Sequence, residues 1–166
     1  NARFADIIEE HGLIFVGPKP EHIRTMGDKV MAKTTAGALG LPFAFASHFA
    51  PAALMQAIEV YRTRFRPSTF LDKPYLMLGF NVCAAETDEE ARYLRSSSLQ
   101  AVLRLRRGSP GQLPPPVEDF EATLGAADRA MLAEFTVCSA VGGPETVAAG
   151  VRAFAEQTAA DELMIT

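Results

Sequence analysis

Short apolar runs alternate with helix-length segments along the 166 residues of the chain. Runs of this kind, bounded by glycine, proline or polar residues, are typical of strands buried on both faces of a parallel sheet. The predicted strands are LIFV at 13–16, PFAFAS at 42–47, YLMLGFNVCA at 75–84 and ELMIT at 162–166. The alternation predicts an α/β fold with an open, mainly parallel sheet and flanking helices.

Helix signals lie between these runs. Thr87 and Glu90 have the spacing of a capping box, which predicts a helix from 87 to about 107. Gly40 is predicted to cap the C-terminus of a helix over 21–39. Further helices are predicted at 2–11, 51–65, 117–124, 126–136 and 142–158, and the proline-rich segment 108–116 is predicted to be a loop.

The charge and the cysteine content exclude several classes of protein. Sixteen basic and twenty acidic residues give a net charge of −4 with no basic stripe, so we expect neither a nucleic acid nor an anionic membrane as partner. No apolar run approaches the roughly 20 residues of a membrane span. Cys83 and Cys138 fit neither a disulfide framework nor a zinc site, which predicts no metal centre and a reduced, cytoplasmic protein.

The chain is too short for a complete (β/α)8 barrel, which typically needs about 250 residues. It opens on Asn1 without a methionine and closes on a strand with no helix to cover it, so we expect a truncated protein. Open sheet edges and an uncovered apolar face favour association. We therefore expect a homo-oligomer or self-association.

Five side chains are candidates for a site. His48 follows a predicted strand, at the end of a parallel sheet where sites are built, and its imidazole can exchange a proton with a ligand or bond a loop carbonyl. Ser47 can bond a ligand or cap the next helix. Phe43 and Phe45 can line a pocket or belong to the core, and Lys29 can bind a phosphate or lie on a solvated helix face.

From about residue 37 onward, the chain resembles the luciferase-like, flavin-dependent monooxygenases. The motifs that carry this resemblance are GLPFAFASHFAP at 40–51, PYLMLGFNV at 74–82, AAETDEEA at 84–91, LPPP at 113–116, VGGPETV at 141–147 and DELMI at 161–165. The resemblance implies a partial (β/α)8 TIM-barrel fragment of an oxidoreductase that uses reduced FMN and O2 to oxidise a small organic substrate. It implies His48 as the catalytic residue, with Phe43, Phe45 and Ser47 at the cofactor.

Residues 1–36 resemble instead a biotin carboxylase, through NARFA at 1–5, GLIFVGP at 12–18 and IRTMGDK at 23–29. In that family the lysine of the MGDK motif contributes to the ATP site, which implies the same possibility for Lys29. The glycine-rich ATP lid and the metal-binding glutamates of the family are absent, which excludes carboxylase chemistry. The predicted domains are therefore 1–36 and 37–166, joined within 34–39.

The junction affects the expected cofactor. Luciferase-like proteins hold the FMN phosphate at a serine-rich turn before the Gly-Leu-Pro motif, and here GPKP at 17–20 stands in its place. Because prolines lack N–H donors, we expect FMN to bind weakly or not at all. Two alternatives to an active monooxygenase stay open: a non-catalytic chimeric or truncated α/β fragment, and an ATP-binding remnant of a biotin carboxylase.

Overall fold

The computed structural model describes residues 2–12 and 35–166. The predicted strand at 13–16, Lys29 and most of the predicted helix over 21–39 lie outside the described residues. The chain forms two compact units, one of Asn1–Phe43 with Gln56–Tyr75 and one of Ala44–Met55 with Leu76–Thr166. This division does not test the predicted boundary near residue 36, which stays a prediction.

Helices and strands follow one another in the described residues. The elements are α1 (Ala2–Glu10), β1 (Phe43–Phe45), α2 (Leu54–Arg64), β2 (Leu76–Ala84), α3 (Asp88–Arg106), α4 (Ala126–Thr136), β3 (Ser139–Gly142), α5 (Pro144–Thr158) and β4 (Glu162–Ile165). A 3-10 turn at Pro51–Ala53 leads into α2. None of the helices in this part of the chain is long and apolar enough to cross a membrane.

Strand β2 is the centre of a four-stranded sheet. The strand order is β1–β2–β3, and β4 also pairs with β2. Both β3 and β4 run parallel to β2, with Asn81 opposite Ser139 and Gly79 opposite Met164. Parallel strands with flanking helices confirm the predicted fold class.

The side chains of β2 that face the helices form the core of the second unit. Leu76, Leu78 and Phe80 are all buried, and the Phe80 ring lies 4.6 Å from that of Phe154 on α5. Alternate residues of a strand point to opposite faces. Met77, Gly79 and Asn81 therefore belong to the other face of the sheet.

The first unit is organised around Tyr61. This fully buried side chain donates a hydrogen bond to the Leu41 carbonyl at 2.8 Å and accepts one from the Tyr75 N–H at 3.1 Å. Its ring packs against Phe43 at 5.1 Å. Gly40, with φ of 61°, ends the helical segment 35–38, which confirms the predicted cap.

In the second unit one predicted helix is wrong and one strand was not predicted. The helix expected at 117–124 is reduced to a 3-10 turn at Phe120–Thr123. The Val117 N–H donates to the Ser96 hydroxyl at 2.7 Å, and Asp119 has φ of 49°, so the backbone cannot enter a regular helix there. Strand β3 was not predicted, because its four residues are small and a helix was expected to begin at Gly142.

Candidate functional site

His48 lies in a tight turn just beyond the carboxyl end of β1. The turn is closed by backbone hydrogen bonds from Phe49 to Ala46 at 3.0 Å and from Ala50 to Ser47 at 3.2 Å. Only 8% of His48 is exposed, and its buried Nδ1 atom has no hydrogen-bond partner among residues 2–12 and 35–166. An unpartnered buried nitrogen is costly, which distinguishes this imidazole from a histidine that simply bonds a loop carbonyl.

Ser47 connects this turn to the central strand. Its fully buried hydroxyl donates a 2.6 Å hydrogen bond to the carbonyl oxygen of Gly79. It does not cap the following helical turn, whose N-cap residue is Ala50 and has no side-chain cap bond. The hydroxyl proton of Ser47 is therefore engaged within the protein.

Gly79 is not among the residues predicted for the site. The ring of His48 packs directly against it. A Cβ atom built at position 79 would collide with Nδ1 of His48 and would lie 2.5 Å from Cε1. A glycine in the interior of a strand often marks a close approach of another group. That signal was present in the middle of YLMLGFNVCA, the longest predicted strand.

A cavity of about 210 Å³ opens on this face of the second unit. Three small residues leave the space: Ala44, Ala46 and Gly79. Three large apolar residues border it: Phe45, Met77 and Met164. His48 also lines the cavity and is the single ring with polar atoms among these described residues. The cavity is thus apolar, with one group able to exchange hydrogen bonds or protons.

The predicted site residues fall in three places. Phe45 and His48 meet at the cavity, and Ser47 lies behind it in contact with Gly79. Phe43 packs against Tyr61 in the first unit. Lys29 lies outside the described residues.

Asn81 is a second polar residue that the sequence did not reveal. It shares its face of β2 with Gly79, and its Oδ1 accepts a 2.7 Å hydrogen bond from the Thr166 hydroxyl. Its buried Nδ2 has no hydrogen-bond partner among the described residues. Asn81 and Thr166 are 85 positions apart in the sequence, so a local sequence pattern cannot predict the hydrogen bond between them.

A larger cavity, of about 480 Å³, lies between α3 and the segment 117–122. Acidic side chains dominate its polar lining: Glu89, Glu90, Glu118, Asp119 and Glu121. These carboxylates would repel an anionic phosphate group. The smaller cavity beside His48, whose described lining carries no carboxylate, is the better candidate for the ring of a cofactor and for an organic substrate.

The flavin ring and the flavin phosphate place different demands on these residues. The small side chains at 44, 46 and 79 leave an apolar space of about 210 Å³, and its apolar lining suits the chemistry of a flat aromatic ring. A phosphate needs N–H donors or basic groups. The described lining of the cavity has no basic side chain, and the Gly143 N–H at the start of α5 is already bonded to the Asp88 carboxylate.

Comparison with known proteins identifies the family to which the chain belongs. The family model for luciferase-like monooxygenases matches residues 3–162. The chain therefore belongs to the luciferase-like monooxygenase family. This agrees with the resemblance drawn from the motifs after residue 37.

Individual relatives support the assignment. The chain is 46% identical over 140 residues to the uncharacterized protein YvbT of Bacillus subtilis and 40% identical over 140 residues to a luciferase-like monooxygenase of Escherichia coli. These matches cover 84% of this chain and 42% of each relative. The crystal structure of apo-MsnO8 superimposes with a TM-score of 0.69 at 32% identity, covering 82% of this chain and 42% of that one. The chain thus spans less than half the length of these proteins.

The resemblance to biotin carboxylases is local. A biotin carboxylase of Allochromatium vinosum is 55% identical over 42 residues, which are 25% of this chain and 9% of that protein. The luciferase-like family model begins at residue 3, within the predicted carboxylase-like segment. The match is a short partial one, and it does not extend the family assignment.

Proposed function

We propose that the chain carries part of the active site of a flavin-dependent monooxygenase that oxidises a small organic substrate with O2. The observation that supports this proposal most strongly is the apolar cavity between β1, β2 and β4, with His48 at its edge. Apolar cavities with few polar groups are the usual sites of organic ligands and cofactors. When bound, reduced FMN supplies the electrons for O2 activation.

The residues of the chain have separate roles in this proposal. The apolar side chains of Phe45, Met77 and Met164 exclude water from the ligand. The His48 imidazole donates a hydrogen bond to the ligand or takes a proton from it. The cofactor contacts expected of Phe43, Ser47 and Lys29 stay predictions.

We expect the described residues of this chain to bind the phosphate of FMN only weakly. Each charge-assisted N–H bond to a phosphate is worth about 1.5–3 kcal/mol. Losing two of them weakens binding by roughly 10²–10⁴. We therefore propose that FMN binds this chain weakly, through its ring.

The remaining partners follow from the family, the charge and the cysteines. From the family we infer a small organic substrate and O2 as ligands. The net charge of −4 favours neither a nucleic acid nor an anionic membrane as partner. Cys83 and Cys138 are free thiols, which is the usual state in the cytoplasm.

A cavity-filling variant tests the proposal. Purified chain is mixed with FMN, and the absorbance of the flavin is compared with that of free FMN. We expect a perturbed spectrum with the unsubstituted chain and no perturbation with Ala46→Trp, because the new indole occupies the cavity. Ala153→Trp, which places the same side chain on the exposed surface of α5, is the matched control and should keep the perturbation.

A second candidate function is a non-catalytic fragment that associates with itself. Met164 and Ile165 on β4 are 49% and 52% exposed, which favours pairing with another chain. In that case the absorbance spectrum of FMN is the same with every variant as in free solution. The chain then associates with itself whether or not FMN is present. The third alternative, an ATP-binding remnant, predicts binding of ATP that is lost on substitution of Lys29 and is unaffected by Ala46→Trp.

A further inference from the structure

Two contacts hold the turn that carries His48 against strand β2. The Ser47 hydroxyl is bonded at 2.6 Å to the Gly79 carbonyl, and the His48 ring occupies the space that a side chain at position 79 would need. The three atoms closest to that space are all from the His48 ring: Nδ1, Cε1 and Cγ. The edge of the ring that contains Nδ1 is therefore pressed against the strand.

This arrangement discriminates between the two neutral forms of imidazole. In each form one ring nitrogen carries the proton and donates, while the other has a lone pair and accepts. Nδ1 is buried and has no acceptor within the described residues. An N–H group at that atom would point at the glycine backbone with nothing to receive it, whereas a lone pair needs no additional space there.

We propose that Ser47 and Gly79 are positioning residues, which hold the His48 ring so that the proton of its neutral form is on Nε2. The ring then presents a hydrogen-bond donor to an oxygen or nitrogen acceptor on the ligand in the cavity. The role in catalysis rests on the proposed function, whereas the form of the ring follows from the geometry alone. A carbonyl or hydroxyl oxygen of an uncharged ligand is the kind of acceptor that suits this donor.

The chain contains its own reference for the opposite form. His11, at the end of α1, is exposed, and its Nδ1 lies 2.8 Å from the carbonyl oxygen of Ile7. Because a carbonyl only accepts, Nδ1 of His11 is the donor in that bond. His11 and His48 are therefore expected to differ in which nitrogen carries the proton.

Nitrogen NMR of the full chain tests this directly. The chain is labelled with ¹⁵N-histidine and studied at about pH 8, where an ordinary histidine is neutral. Two-bond and three-bond proton–nitrogen correlations identify the protonated nitrogen of each ring, and His48→Gln assigns the signals of residue 48. We expect the proton of His48 on Nε2. A proton on Nδ1, or an average of the two forms, would overturn the proposal.

Two variants test the positioning residues. Ser47→Ala removes the bond to Gly79, and we expect the His48 signals to move toward an average of the two forms while those of His11 stay unchanged. Unchanged His48 signals would show that Ser47 has no positioning role. Gly79→Ala should lower Tm in the chain that contains His48 and leave Tm unchanged in the His48→Ala background, because the three atoms nearest to the added Cβ are all from that ring. Equal losses of Tm in both backgrounds would refute the role of Gly79.

These readouts separate the two proposals. If His48 carries its proton on Nε2 and Ala46→Trp has no effect on the flavin spectrum, the flavin function fails and the positioning of His48 stands. If the flavin spectrum responds to Ala46→Trp and His48 carries its proton on Nδ1, the positioning proposal alone fails.

Discussion

The carboxylate of Asp88 accepts a 2.7 Å hydrogen bond from the N–H of Gly143, so that the first residue of α3 closes the N-terminus of α5. The hydroxyl of Thr146 donates to the same carboxylate at 3.1 Å. The Gly143 N–H is the largest of the three causes that hold the pKa of Asp88 below its ordinary value, ahead of the Thr146 hydroxyl and the charge of Arg92. This ionised side chain links the turn after β2 to the turn after β3.

The lowered pKa of Asp88 predicts how stability depends on pH. A carboxylate whose pKa is lower in the folded state stabilises that state fully above its unfolded pKa, which is about 3.9. The contribution is lost as pH falls through the folded pKa. We expect the free energy of unfolding, measured by urea titration at several pH values, to fall on acidification below about pH 4.

Substitution identifies Asp88 as the source of that loss. Asp88→Asn removes the charge, so the variant should be less stable at neutral pH and should lose less stability on acidification. Asp72→Asn changes an exposed aspartate of the first unit and should behave like the unsubstituted chain. An acid profile of Asp88→Asn that parallels the unsubstituted chain would contradict this interpretation.

We predict that Tyr61→Phe lowers the stability of the first unit. Tyr61→Phe leaves the Leu41 carbonyl and the Tyr75 N–H without the hydroxyl that now bonds both. Unsatisfied buried groups cost about 1–3 kcal/mol, so the free energy of unfolding should fall by that amount. Tyr93→Phe, at a tyrosine that is 39% exposed, is the matched control and should change it by less than about 0.5 kcal/mol.

We predict that substitution of Arg95 raises the stability of the second unit. Arg95 is 6% exposed, and its burial lowers its pKa. Its buried Nε and Nη2 atoms have no partner in the part of the chain that the structure describes. The contact of its guanidinium with the Phe135 ring, at 4.7 Å, offsets only part of the desolvation cost. Arg95→Leu should therefore raise the free energy of unfolding by about 1–3 kcal/mol.

An exposed arginine on the same helix is the control for Arg95. Arg92 forms an exposed ion pair with Glu89 at 3.0 Å, which contributes little. Arg92→Leu should leave the free energy of unfolding within about 0.5 kcal/mol of the unsubstituted chain. Destabilisation by Arg95→Leu would mean that this arginine has a partner in the folded protein.

We predict that the chain associates with itself through strand β4. Its residues Met164 and Ile165 are about half exposed, and apolar strand residues of this kind favour pairing between chains. Ile165→Lys should lower the mass measured by light scattering at high protein concentration, because a charge at the strand opposes pairing. Val137→Lys changes an equally apolar, 63% exposed residue outside the strands and should leave the mass unchanged.

The sequence predicted the elements that carry a strong local signal. The apolar run at 75–84 became β2 at Leu76–Ala84, and the capping box placed the start of α3, where the Thr87 hydroxyl accepts the Glu90 N–H at 3.1 Å. The second half of that box differs, because the Glu90 carboxylate bonds the N–H of Glu86 at 3.3 Å. Local patterns are thus sufficient for long strands and capped helices.

The features that depend on distant contacts were out of reach of these patterns. Strand β3 has four small residues and exists because the end of β2 offers it a parallel partner. Of the residues predicted for the site, His48 and Phe45 line the same cavity, and their roles stay predictions. Asn81 was missed, because its role comes from a partner at Thr166. For Gly79 the glycine inside a strand is a local signal of a close approach, but the approaching group, His48, comes from the distant turn after β1.

The affinities of FMN and riboflavin, measured by titration calorimetry, test most directly whether the cavity beside His48 binds a flavin ring. Both molecules have the same ring, and riboflavin lacks the phosphate. We expect both to bind with Kd values above about 1 μM and within about tenfold of each other, because the ring supplies the affinity and the described lining of the cavity has no basic side chain. Binding of neither flavin would contradict a flavin site in this cavity. Sub-micromolar binding of FMN alone would show that the chain contains a phosphate site outside the residues assigned here.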